Sequence, residues 1–139
     1  MAIERTLCII KPDAVEKRSS GHILQRLLEE GFKVLGLRQT QLSPRQAQGF
    51  YAVHRERPFF KDLCEFMTRS PVVVLALERD NAVQHLRSVI GATDPAKAEA
   101  GTIRKLYGDG VGENAVHGSD SVDNGRVECA YYFQGSELG

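Results

Sequence analysis

The chain has 139 residues, 42% of them hydrophobic, and 18 basic residues balance 18 acidic ones. That length and composition fit one folded domain over residues 1–139 and exclude a disordered chain. Zero net charge excludes a blanket polyanion-binding surface, so nucleic acid is not an expected partner and phosphate binding must come from a local cluster.

Thr6–Ile10 is a short apolar run that reads as a strand, stopped by the turn Lys11-Pro12-Asp13. Ile23, Leu24, Leu27 and Leu28 recur at helical spacing, with Gly31 as the residue just past the helix end. Phe32–Leu42 reads as a second strand, weakened by Gly36. Ser43-Pro44-Arg45-Gln46 is a helix start: Ser43 caps, Pro44 suits the first turn and Gln46 completes a capping box. That helix is expected to run to about Val53. A second helix follows Pro58 with Phe59, Phe60, Leu63, Cys64 and Met67 on one face. Pro71 then opens Val72–Leu77, an unbroken apolar run. It suits a buried central strand and is far too short to span a membrane. Asp80 or Asn81 is expected to cap a helix carrying Ala82, Val83, Leu86, Val89 and Ile90, closed by Gly91. Residues 92–113 form a long segment with a short helical stretch near Ile103, and long irregular segments in compact domains usually serve function. Ala115–His117 is a brief strand and Ser121–Phe133 a last helix, interrupted in pattern at Asn124-Gly125. The order predicts an α+β fold: a ferredoxin-like βαββαβ antiparallel sheet with an inserted helical hairpin and a C-terminal helix.

The chemistry concentrates near the end of the chain. His117 stands in Asn114-Ala115-Val116-His117-Gly118-Ser119-Asp120, just after the glycine-rich stretch Gly108-Asp109-Gly110-Val111-Gly112. Such a loop either cradles an anion or makes a tight turn. There is no G-x-x-x-x-G-K-[ST], and position 113 is Glu, so neither common phosphate-binding fingerprint is present. Lys11 at the end of the first strand, Arg87, and Arg104 in the long segment supply candidate phosphate contacts. His22, His54 and His85 offer no zinc-ligand spacing, and no G-x-S-x-G elbow supports a serine nucleophile at Ser119. Cys8, Cys64 and Cys129 lack C-x-x-C spacing, and Met1-Ala2-Ile3-Glu4-Arg5 carries charge too early for a signal peptide. A cytoplasmic protein with reduced, core-packed thiols is expected.

The histidine motif resembles the active-site signature of nucleoside diphosphate kinases of the bacterial type. The resemblance extends over Ile10-Lys11-Pro12-Asp13-Ala14-Val15, Gly49-Phe50-Tyr51, Arg57-Pro58-Phe59-Phe60, Ile90-Gly91-Ala92-Thr93-Asp94-Pro95 and Gly101-Thr102-Ile103-Arg104, in that order. It implies that His117 is the nucleophile and becomes a phosphohistidine in ping-pong transfer from a nucleoside triphosphate such as ATP to a nucleoside diphosphate. It implies that Glu128 orients His117, that Ser119 adds a hydroxyl contact and that Tyr51 helps align the ring. Lys11, Arg87, Thr93 and Arg104 would hold phosphates, and Lys11 and Asn114 would touch the sugar. Phe59 would stack on the base with Val111 on its other face, which discriminates bases poorly and implies broad specificity. Three of these retain plain structural alternatives: Phe59 as helix core, Tyr51 between the hairpin helices and Thr93 as a cap on the turn at Asp94-Pro95. Mg2+ would arrive with the nucleotide, with no direct protein ligand and Asp120 reaching it through water. The resemblance also implies a homo-oligomer, tetramer or hexamer. A non-catalytic nucleotide-binding module would share the fold, but an intact His117, Lys11 and arginine set weighs against it. Leu106, where the family carries an acidic residue, Ser19-Ser20 and Gly125 depart from the pattern.

Overall fold

The computed structural model describes residues 2–138. Its elements run β1 (Ile3–Ile10), α1 (Pro12–Glu16), α2 (Ser20–Glu29), β2 (Lys33–Thr40), α3 (Pro44–Phe50), α4 (Phe60–Thr68), β3 (Val72–Asp80), α5 (Ala82–Ile90), α6 (Ile103–Tyr107), β4 (Val116–Gly118), α7 (Val122–Tyr132) and α8 (Gly135–Leu138). The sheet order is β2-β3-β1-β4, and every neighbouring pair is antiparallel. This is the ferredoxin-like arrangement, with α3 and α4 as the inserted hairpin, and a doubly wound parallel sheet is excluded.

Both faces of the sheet are covered, which explains the unbroken apolar run of β3. Alternate residues of the central strands point to opposite sides. Cys8, Ile10, Val73, Leu75 and Leu77 pack with Ile23, Leu27, Leu86 and Ile90 of α2 and α5. Leu7, Ile9, Val72, Val74 and Ala76 pack with Ala47, Met67, Cys129 and Tyr132 of α3, α4 and α7. All three cysteines are free and buried.

The local signals divide into those that hold and those that tertiary contacts override. The N–H groups of Gly31 and Phe32 donate to Leu28 and Leu27, closing α2 with Gly31 at φ 85°. Ser43 and Gln46 exchange both capping-box bonds, at 2.9 and 3.1 Å. The helix from Pro44 ends at Phe50, however, and Ala52–His54 continues only as a 3-10 turn. The expected cap on α5 is also replaced. Asn81 holds the capping position with a left-handed backbone, φ 53°, and its side chain caps nothing. Glu4 on β1 accepts from Val83 N–H at 3.1 Å instead. β2 is shorter than its apolar pattern and slips register between Val34 and Gly36. A side chain at Gly36 would stand 2.9 Å from the Phe133 ring.

The last helix runs through Asn124-Gly125, where its pattern is weakest. Ser121 accepts from Asn124 N–H and starts an uninterrupted α7. Gly125 is there because α7 presses onto β1: a Cβ would lie 2.5 Å from the Arg5 carbonyl oxygen. Gly125→Ala therefore gains helix propensity but must lift the helix from the strand. The expected net loss is about 1–2 kcal/mol, read as a lower urea midpoint at unchanged slope. An unchanged midpoint would mean that α7 is free to dock further out.

Candidate active site

The site forms where β4 pairs with β1. His117 stands opposite Ile9, and Val116 opposite Ile10. The imidazole is mostly buried, with 19% of the side chain exposed. Its Nε2 lies 2.8 Å from Glu128 Oε1 on α7. Ser119 donates to the same oxygen at 2.7 Å and itself accepts from Leu7 N–H at 3.0 Å. Ser119 thus braces Glu128, and among the described residues its hydroxyl makes no hydrogen bond to His117. Among the described residues Nδ1 of His117 has no protein partner. A carboxylate on one ring nitrogen holds the proton there and leaves a lone pair on the other.

The Lys11-Pro12-Asp13 corner and the long segment close around this edge. Lys11 is buried, and its Nζ donates to Asn114 Oδ1 at 2.9 Å. Asn114 in turn donates through Nδ2 to the Thr93 carbonyl at 3.0 Å. Arg104 forks to two backbone carbonyls, Gly91 at 3.1 Å and Val116 at 2.9 Å. Its Nε is buried without a partner among the described residues. Arg87 is exposed on α5 and Thr93 exposed beyond it. Arg87, Thr93 and Arg104 line one cleft of about 480 Å3 that reaches Gly118, next to His117. Burial, then the neighbouring Arg104, lowers the Lys11 pKa to about 8, although Asp13 opposes the shift. Burial, then Arg87, lowers that of Arg104 to about 10. These cations are forced together at a cost, which an anion between them would offset.

The aromatic residues divide. Phe59 sits outside the core at the N-terminus of α4, 48% exposed, and Phe60 takes the packed position. Val111 is also exposed. Tyr51 packs in the core between the hairpin and α7, and burial followed by the Glu128 charge pushes its hydroxyl pKa up. The ring that meets the histidine is Phe50, edge-on at 5.4 Å and 76°. The motif reading passed over Phe50, since nothing in the sequence separates it from its neighbour. Asp120 is exposed, with Oδ1 accepting from Asn124 at 2.5 Å.

The glycine-rich stretch is not an open cradle. The N–H groups of Asp109 and Gly110 both donate to the Glu113 carbonyl, so the segment closes on itself as a turn. Gly108 is required by packing, because a Cβ would lie 2.7 Å from Pro95 Cγ. Of the two alternatives open to this stretch, the structure takes the tight turn, and positive charge near the site comes from Lys11, Arg87 and Arg104.

Comparison with known proteins gives the relatives of the chain as a whole. A family model described as nucleoside diphosphate kinase matches residues 4–138. The nucleoside diphosphate kinase of Sorangium cellulosum is 59% identical over 138 residues, covering 99% of this chain and 96% of the relative. That of Geobacter sulfurreducens is 55% identical over 136 residues, covering 98% and 99%. The Aquifex aeolicus nucleoside diphosphate kinase superposes with a TM-score of 0.97 at 44% identity, covering 99% and 100% of the two chains. A halophilic nucleoside diphosphate kinase from Halobacterium salinarum, solved in complex with CDP, gives 0.94 at 37% identity, covering 99% and 92%. With its whole described length matched in sequence and in fold, the chain belongs to the nucleoside diphosphate kinase family.

Proposed function

We propose that His117 carries phosphate covalently between two nucleotides, with Nδ1 as the attacking atom. The overall reaction is that of the family, transfer of the terminal phosphate of a nucleoside triphosphate to a nucleoside diphosphate. The observation that carries the atomic reading is the bond between His117 Nε2 and Glu128. It keeps the ring proton on Nε2, so the free lone pair is on Nδ1. In the first half, Nδ1 attacks the γ-phosphorus. The N–P bond forms as the bond from phosphorus to the β–γ bridging oxygen breaks, and the diphosphate leaves with that electron pair. The ring becomes cationic and faces the Glu128 carboxylate. In the second half, a terminal oxygen of the acceptor diphosphate attacks the same phosphorus, and the N–P electrons return to Nδ1. The kinetics are ping-pong.

Lys11, Arg87, Thr93 and Arg104 hold the phosphates in this reading, and positioning with charge stabilisation is most of what phosphoryl transfer needs. Lys11 and Asn114 reach the sugar. Ser119 holds Glu128 in place, and Tyr51 supports the histidine. The half-exposed Phe59 ring stacks on the base with Val111 on its other side, which suits all bases alike. The family works with a divalent cation, and we assign it as Mg2+. Among the described residues no three His, Cys, Asp or Glu side chains gather to hold a metal. The donor set therefore suits a cation carried by the phosphates, with Asp120 contributing through water. When bound, the cation neutralises charge on the phosphate oxygens. As the family resemblance implies, we infer a tetramer or hexamer of copies in the cytoplasm, and Leu37 on the outer strand β2 is exposed. No described helix is long and apolar enough to cross a membrane.

Labelling tests the reading. With γ-labelled ATP and magnesium the protein acquires an acid-labile, base-stable phosphate that nucleoside diphosphates with purine or pyrimidine bases remove. An acid-stable label, or one that no diphosphate discharges, overturns it.

The buried Lys11 adds a pH prediction. Its pKa of about 8 makes it lose charge as pH rises through that value. The kcat/KM profile, which reports the free enzyme, should fall on a limb near there. Lys11→Arg should shift that limb upward. The effect on stability has the opposite sign. Between about 8 and the ordinary 10.5 the unfolded chain binds more proton, so the penalty of the buried cation fades as pH rises.

A further inference from the structure

The residue two before His117 has an unusual backbone. Ala115 stands at φ 76°, a conformation that non-glycine residues rarely adopt. Val116 N–H donates to the Asn114 carbonyl across it at 2.9 Å, so the chain makes a γ-turn of the rare, strained hand. Strain of this kind persists only where the surroundings hold it. Here both backbone groups of Ala115 are held by one corner of the chain. Its carbonyl accepts from Lys11 N–H at 2.8 Å. Its N–H donates to the Asp13 carboxylate at 3.0 Å. Asp13 is buried, and its other oxygen has no hydrogen-bond partner among the described residues. A buried carboxylate in the first turn of α1 thus accepts from a backbone amide 102 positions further along the chain.

We propose that Asp13 is a positioning residue for phosphoryl transfer. By holding the γ-turn at Ala115 it aims Asn114 back at Lys11 and delivers His117 forward to the substrate. The inference rests on the reading of His117 as the phosphate acceptor. Asp13 itself touches neither nucleotide nor imidazole. Its effect passes through the backbone, from the carboxylate to Ala115 N–H and along Val116 to His117. If the clamp is released, Ala115 relaxes to negative φ. The strand then starts with a different twist, and Nδ1 no longer lies in line with the γ-phosphate. A small misplacement of a reacting group is enough to cost about 10²-fold in rate.

Single-turnover phosphorylation by γ-labelled ATP tests this, with wild type, Asp13→Ala, Asp13→Asn and the double variant Asp13→Ala/Ala115→Gly compared alongside their urea midpoints. Asp13→Ala should phosphorylate about 10- to 100-fold more slowly at saturating nucleotide. Asp13→Asn keeps an acceptor oxygen for Ala115 N–H and should stay within about threefold of wild type, since its loss is a neutral partner for a charged one. The double variant should regain about tenfold over Asp13→Ala, because glycine adopts positive φ without being held. A merely structural role predicts no such recovery, since the double variant lacks the same hydrogen bond. An unchanged rate in Asp13→Ala overturns the proposal, as does a double variant no faster than the single one. If Asp13→Ala fails to fold, Asp13→Leu and Asp13→Leu/Ala115→Gly take its place: a slowed single variant that the glycine speeds about tenfold upholds the proposal, and an unchanged or unrescued one overturns it. Failure of wild type to take up acid-labile phosphate would instead strike the reading of His117.

Discussion

His117→Gln forms no phosphoenzyme, and its steady-state transfer falls by about 10⁴-fold or more, the scale on which loss of a nucleophile is felt. The glutamine amide can still reach Glu128, so the fold and the Ser119–Glu128 pair are retained and the urea midpoint moves little. Nucleotide affinity is likewise kept, because Lys11, Arg87 and Arg104 are untouched. The useful comparison is therefore between binding and chemistry: equilibrium binding by calorimetry remains while labelling disappears. Label that persists in His117→Gln would place the acceptor elsewhere in the chain, and a variant that loses binding to the same degree would make His117 a ligand for the phosphates instead.

Arg104→Gln has the second largest effect, and it appears in two measurements. The guanidinium spans from the Gly91 carbonyl to that of Val116, adjacent to His117. Its loss leaves two carbonyls without donors and costs about 1–3 kcal/mol of stability. In the proposed site it also removes fixed positive charge from the place assigned to the phosphates, for which about 10²–10³-fold in kcat/KM is expected. Arg104→Lys separates the two contributions. A lysine restores charge but cannot fork to both carbonyls, so activity should return only partly while the stability loss remains. Full recovery of both in Arg104→Lys would show that geometry at this position is immaterial.

The order of strands and helices was legible because each element carries its own periodicity and stop signal. The Ser43 capping box and the Gly31 helix end need only neighbours within a few residues. The errors lie where a distant residue takes over. Glu4 caps α5 in place of Asn81, and no local pattern announces a partner so far away in sequence. Gly125 reads as a weak point in the last helix, and only β1 beneath it shows why it is there. The glycine stretch at 108–112 stays ambiguous in sequence because turns and cradles use the same residue for the same freedom of φ. At the site, Lys11, Arg104, His117 and Glu128 were named from motifs. What the motifs could not disclose was which atoms meet: that Ser119 serves Glu128, that Phe50 rather than Tyr51 faces the imidazole, and that Asp13 reaches Ala115.

The pairing of β4 with β1 has a consequence for how the protein comes to be active. Lys11 and Asn114 are 103 positions apart, and the bond from Leu7 to Ser119 spans 112. Contacts of such separation form late, since closing a long loop costs chain entropy before any contact rewards it. During synthesis, β1, β2 and β3 with their helices have emerged and can associate while β4 is still to come. Such a nascent chain has Lys11 in place but no phosphate acceptor. Competence for transfer arrives in one late event, when the last strand seats against the first and brings His117, Ser119 and, through α7, Glu128 with it. Folding to completion and acquisition of chemistry are the same step in this chain, so recovery of phosphorylation after dilution from denaturant should follow the slowest phase seen by any structural probe.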